Sequence, residues 1–104
     1  MIRVHILLFR NQIKTLHVSG HAKMSKGMSV PCATVSLMVH AISKSLAQEK
    51  IAAHGVADAP GEFFLDVQAP AGEYLRGLTS MFLAGMSKIK QEYPKELLLD
   101  ILED

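Results

Sequence analysis

Ile2, Val4, Ile6 and Leu8 occupy every second position of the opening segment IRVHILLF, with Arg3 and His5 between them. Successive side chains of a strand point to opposite faces, so this spacing gathers the aliphatic residues on one side of a β-strand. Arg10-Asn11-Gln12 follows as a tight turn, because Asn tolerates left-handed backbone conformations. In the next segment, IKTLHVSG, Leu16 and Val18 point one way and Thr15, His17 and Ser19 the other. The two segments predict a β-hairpin with one apolar face, and a one-faced hairpin must find a layer to cover it.

Helical spacing supplies that layer. Residues 22–28 show neither period and read as a loop. Ser29 is a good N-cap, and Pro31 suits a first turn, where its missing N–H costs nothing. Val35, Met38, Val39, Ile42 and Leu46 then fall on one helical face, with the end expected near Gln48. IAAHGVAD and EFFLDVQ, separated by Ala59-Pro60-Gly61, read as a second hairpin in which Phe63, Leu65 and Val67 alternate against Phe64, Asp66 and Gln68. After Pro70-Ala71-Gly72, a second helix carries Leu75, Leu78, Phe82, Met86, Ile89 and Tyr93, and Pro94 ends it. Gly77 and Gly85 inside it each cost about 1 kcal/mol against alanine, which implies close packing against the sheet or a partner. The tail KELLLDILED supplies a last strand, with Leu97, Leu99 and Ile101 on one side. The order ββαββαβ predicts an α/β chain of the α+β kind: an antiparallel or mixed sheet with two helices packed on one face. An apolar opposite face would then need a second copy or a substrate.

At 104 residues the chain is expected to form a single domain over positions 1–104, and 49% hydrophobic with 20% charged residues is an ordinary globular balance. The net charge is +1 and the lysines are scattered, which gives no electrostatic footprint for direct nucleic-acid binding. One cysteine cannot form a disulfide within the chain, and no signal peptide is visible, so a cytoplasmic setting is expected. The apolar run from Val4 to Phe9 is too short to span a membrane. A lone thiolate is not a zinc ligand set. Neither a metal nor a cofactor is expected.

That cysteine stands in SGHAKMSKGMSVPCATVS. Cys32 would lie in the opening turn of the first helix, where unpaired N–H groups and partial positive charge favour a thiolate. A histidine could take the thiol proton, and the same N–H groups could hold the oxyanion of an attacked carbonyl. Five histidines compete for the base. His21 suits best, at a strand end behind Gly20 and at the entrance to the loop leading to Cys32. His40 lies two turns down the same helix, about 12 Å along the axis. His5, His17 and His54 are mid-strand. Against this stands a plain alternative, a cysteine serving as a small buried apolar residue. Ser36, one turn after Cys32, could hydrogen-bond near the thiolate or simply bond back to a helix carbonyl. Met24, Met28 and Met38 could line an apolar groove, though Met38 also fits the core.

Gly20-His21-Ala22, the following loop with Gly27, and Cys32-Ala33-Thr34-Val35-Ser36 together resemble the Prp family of bacterial ribosomal-processing cysteine proteases. The likeness runs on to Ile89-Lys90-Gln91-Glu92-Tyr93-Pro94. It implies a small homodimeric cysteine protease with Cys32 as nucleophile and His21 as base, and with the loop of residues 22–30 closing over substrate. It implies removal of the N-terminal extension of the twenty-seventh large-subunit ribosomal protein, after an aromatic residue. A catalytically weak homologue that binds a ribosomal protein or the ribosome surface is the alternative. The family pattern has Asp three residues before the cysteine and an aliphatic residue just before it; here they are Ser29 and Pro31. Serine caps a helix nearly as well as aspartate, and the lost negative charge favours a thiolate. Ser29→Asp is therefore expected to slow alkylation of Cys32 by iodoacetamide at neutral pH; faster alkylation would refute the capping reading.

Overall fold

A computed structural model describes residues 1–20, 30–57, 62–68 and 72–104. Its elements are β1 (Ile2–Phe9), β2 (Gln12–Ser19), α1 (Val30–Gln48), β3 (Ala53–Val56), β4 (Phe63–Val67), α2 (Glu73–Glu92) and β5 (Leu97–Glu103). This is the expected ββαββαβ order. The strands form one sheet in the order β3-β4-β2-β1-β5. β1 and β5 are parallel and the other neighbours antiparallel, so the sheet is mixed. Ile2, Val4, Ile6 and Leu8 of β1, Leu16 and Val18 of β2, Leu65 and Val67 of β4 and Leu97 of β5 meet Val35, Val39, Ile42 and Leu46 of α1 and Leu75, Phe82, Met86 and Ile89 of α2 in one core. α1 is long and apolar enough by composition to resemble a membrane-spanning helix. Its Val35, Val39, Ile42 and Leu46 instead cover the sheet.

The first hairpin is tighter than the sequence suggests. Gln12 already belongs to β2, paired with Phe9, and the turn is only Arg10-Asn11. Both residues have positive φ, 54° and 62°. A two-residue turn of that hand matches the right-handed twist of the strands it joins. Leu7 pairs with Thr15 but Leu8 with Ile13, so β2 bulges at Lys14. The bulge has a reason in the sequence. Ile13 and Leu16 are three positions apart, yet both are buried, and an unbroken strand would turn them to opposite faces.

α2 is fastened to that irregular end. The Ile13 N–H donates to Thr79 Oγ1 at 3.0 Å, and Thr79 is 1% exposed. The side chain of buried Gln12 accepts from the Gly72 N–H at 3.2 Å, which satisfies a donor at a helix start that has no side-chain cap of its own. At the other end, Lys90 Nζ donates to the carbonyls of Pro94 (3.0 Å) and Leu97 (2.6 Å) and so holds the turn into β5. α1 stops at a Schellman-type end: Lys50 takes φ 55° and the Ile51 N–H returns to the Leu46 carbonyl.

The two helix glycines part ways. Gly85 lies against Met38 of α1, where a Cβ would strike the Met38 side chain, so the close approach is between helices rather than to the sheet or a partner. Gly77 faces open space and does not have the close packing expected of it. Leu78 and Tyr93 of the expected stripe are half-buried, and Thr79 is a buried member that an apolar pattern does not reveal. Among the described residues no helix covers the opposite face of the sheet, which shows Phe9, Phe64, Leu98 and Leu102, each at least 40% exposed.

Thr79→Val keeps the side-chain shape but leaves the Ile13 N–H buried without its acceptor. It is expected to destabilise the protein by about 1–3 kcal/mol, measured as a lowered urea midpoint at unchanged m-value.

Candidate active site

The strands run alternately between two ends of the sheet, and this decides where Cys32 lies. β2 ends at Ser19 beside Ile2 and Arg3, where β1 begins and where β5 enters at Leu97. α1 runs from that end to the far one, because it feeds β3, whose start pairs with the end of β4. α2 starts at the far end, beside Gln12, and returns. The helices are therefore antiparallel, and the first turn of α1 lies toward the last turn of α2, at the end where Gly20 leaves the sheet.

Gly20 has φ +85°, and a Cβ built on it would collide with the carbonyl oxygen of Met1. Two separate constraints thus require glycine: a left-handed backbone and contact with the chain's own N-terminal strand. This close-fitted residue sets the direction of the chain as it leaves β2 toward His21. His21, Ala22, Gly27 and Ser29, with Met24 and Met28, lie outside the described residues.

α1 opens with Val30, Pro31 and Cys32. Pro31 is buried and Cys32 is half-buried against the core cluster. Pro31 anchors the turn without offering an N–H. The first turn of α1 contains no acidic residue. Thr34 Oγ1 donates to the Val30 carbonyl at 2.8 Å, a bond within the helix. Ser36 is half-buried one turn beyond Cys32, on the same side of the helix. Met38 is half-buried between helices, the core role rather than the groove role. Such a start can present a thiol, stabilise its anion and donate N–H groups to a neighbouring oxyanion.

The four described histidines are held away from that thiol. His5 and His17 point from the helix-free face, with the sheet between them and α1. His54 pairs with Asp66 across β3 and β4 on that same face. His40 is exposed and makes an edge contact with Phe63, ring centroids 6.2 Å apart. A groove lined by Glu49, Ile51, Gly72, Glu73, Tyr74 and Leu75 lies at the far end, where α1 stops and α2 starts, remote from Cys32. Among the described residues no three His, Cys, Asp or Glu side chains are placed to hold one metal ion.

Sequence reasoning could not have found the Met1 contact, because nothing near Gly20 in the chain announces it. Gly20→Ala is expected to cost more than about 1 kcal/mol, since alanine must adopt positive φ. Urea unfolding measures this, and an unchanged midpoint would show that the Met1–Ile2 backbone gives way freely.

Three solved structures share this architecture. The crystal structure of an essential ribosomal processing protease Prp from S. aureus, with a covalently linked product peptide, has a TM-score of 0.86 at 18% identity and covers 97% of this chain and 99% of that one. The same S. aureus protease with a substrate peptide gives 0.83 at 17%, with the same coverage. SMU.848 from Streptococcus mutans gives 0.80 at 18%, covering 100% of this chain and 96% of that one. At such identities the likeness establishes the fold. Curated proteins provide no significant match. The family described as cysteine protease Prp matches residues 1–98. By that match, over nearly its whole length, the chain belongs to the Prp family of cysteine proteases.

Proposed function

We propose that this protease cuts a ribosomal-protein precursor with Cys32 as nucleophile and His21 as base. The observation that carries the reading is the place of Cys32: half-buried in the first turn of a helix without acidic residues, in a chain of a cysteine-protease family. His21 is supported because the other four histidines stand on the far face of the sheet or far along α1. Gly20 supports it too, as the constrained pivot one residue before it.

The chemistry follows from those positions. His21 takes the thiol proton, and Cys32 Sγ attacks the scissile carbonyl carbon. The oxyanion meets N–H groups of the first turn, the Cys32 N–H foremost because Pro31 has none to give. Collapse forms a thioester as the peptide nitrogen leaves with the proton from His21, and water then hydrolyses the thioester. Ala22, Gly27 and Ser29 belong to the segment that would cover the substrate, and Ser36 would lie beside the thiolate. The proposed substrate is the twenty-seventh large-subunit ribosomal protein, cut after an aromatic residue near its N-terminus. The S. aureus relative is described as a ribosomal processing protease and was seen with peptides bound. The proposed setting is the cytoplasm, and the proposed assembly is a homodimer.

The Pro31 departure favours one second reading, a homologue that binds the ribosomal protein but cleaves it poorly, since one oxyanion donor is missing. Mixing the protein with the precursor from the same organism and weighing the products by mass spectrometry separates the two. The protease reading expects one cut after an aromatic residue, lost in Cys32→Ala and in His21→Ala while precursor binding persists. Intact precursor bound to the wild-type protein would establish the second reading.

A further inference from the structure

One line of paired residues crosses the helix-free face: Asp100 on β5, His5 on β1, His17 on β2, Phe64 on β4 and Val56 on β3. At its centre His5 and His17 stand directly opposite each other. Their rings stack with centroids 6.3 Å apart and planes inclined by 24°. A carboxylate flanks each imidazole. His5 Nδ1 is 3.3 Å from Asp100 Oδ2, and His17 Nε2 is 3.9 Å from Glu62 Oε1. These contacts leave Nε2 of His5 and Nδ1 of His17 to face another ligand.

A carboxylate on the second nitrogen of an imidazole is the outer-shell arrangement that orients a metal-binding histidine and raises its basicity. Opposed residues of antiparallel strands hold their Cβ atoms about 4.5–5.5 Å apart. Two imidazoles so placed can turn onto one ion at metal–nitrogen distances of about 2.0–2.1 Å. The turn is open to them, since the four side chains are 43%, 44%, 47% and 52% exposed. Among the described residues no third ligand converges as the side chains stand, so water completes the coordination.

We infer that His5 and His17 form a two-imidazole site for a divalent transition-metal ion on the open face of the sheet, with Asp100 as the outer-shell partner of His5 and Glu62 close beside His17. Imidazole suits zinc, nickel and copper. The ion would link β1 to β2 directly, and would reach β5 and the entry to β4 through the two carboxylates. The site is separated from Cys32 by the sheet. Each imidazole binds the ion through an unprotonated nitrogen.

The test is a calorimetric titration of the full chain with zinc, carrying Cys32→Ser so that no thiolate competes. One ion per chain is expected. His5→Gln and His17→Gln should each lower the affinity at least about tenfold, and Asp100→Asn by about tenfold. His54→Gln, on the neighbouring line of the sheet, should leave it unchanged. In the unsubstituted face, zinc should move the imidazole NMR signals of His5 and His17 together. Saturation only in the millimolar range, binding that survives either histidine substitution, or movement of one imidazole without the other would overturn the site.

Discussion

The hydrogen bond from the Ile13 N–H to the Thr79 hydroxyl joins the one register break in the first hairpin to the helix lying over it. The break is unavoidable once Ile13 and Leu16 are both in the core. It is tolerable because α2 carries a short hydroxyl at the point where a backbone donor needs a partner. From that contact the order of packing follows. Thr79 and the Gln12–Gly72 bond seat α2 along β2, Gly85 lets α1 come close beside α2, and the start of α1 places Cys32.

The sheet also divides the chemistry. Its helix side holds the thiol at a helix start, and its open side holds His5, His17, His54, Asp66 and Asp100. A nucleophile needs a base within hydrogen-bond reach, so a five-stranded layer is an effective barrier. Position in the fold, rather than residue count, sets the four described histidines apart from Cys32.

Much of the architecture was legible in periods. Period two gave β1, β2 and β4, and the 3.6-residue stripe gave both helices with their ends near Gln48 and Pro94. What stayed hidden was non-local. Nothing in KELLLDILED says that β5 joins the sheet parallel to β1, because its own alternation is the same in either direction. The bulge at Lys14 shows in the sequence only as a misfit between Ile13 and Leu16. Thr79 is invisible to an apolar pattern because its value lies in one backbone partner 66 residues away. At the site, the helix start and the Cys32 position were readable, while the demand on Gly20 comes from Met1 across the sheet end. Gly77 taught the opposite lesson: an expensive residue inside a helix, with no neighbour in the structure that explains it.

The parallel pairing of β1 with β5 sets a limit on when this protein can become itself. β1 forms a hairpin with β2 as soon as both are made, but its other edge accepts Leu97–Glu103, which is made after every other described strand of the sheet. Contacts between ends so distant in sequence form late and slow folding. During synthesis, which proceeds from the N-terminus, β1 would keep an exposed, aliphatic, unpaired edge until Leu97–Glu103 had left the ribosome. The sheet is thus complete only after β5 has been made, and the chain up to that point is the form most in need of a chaperone.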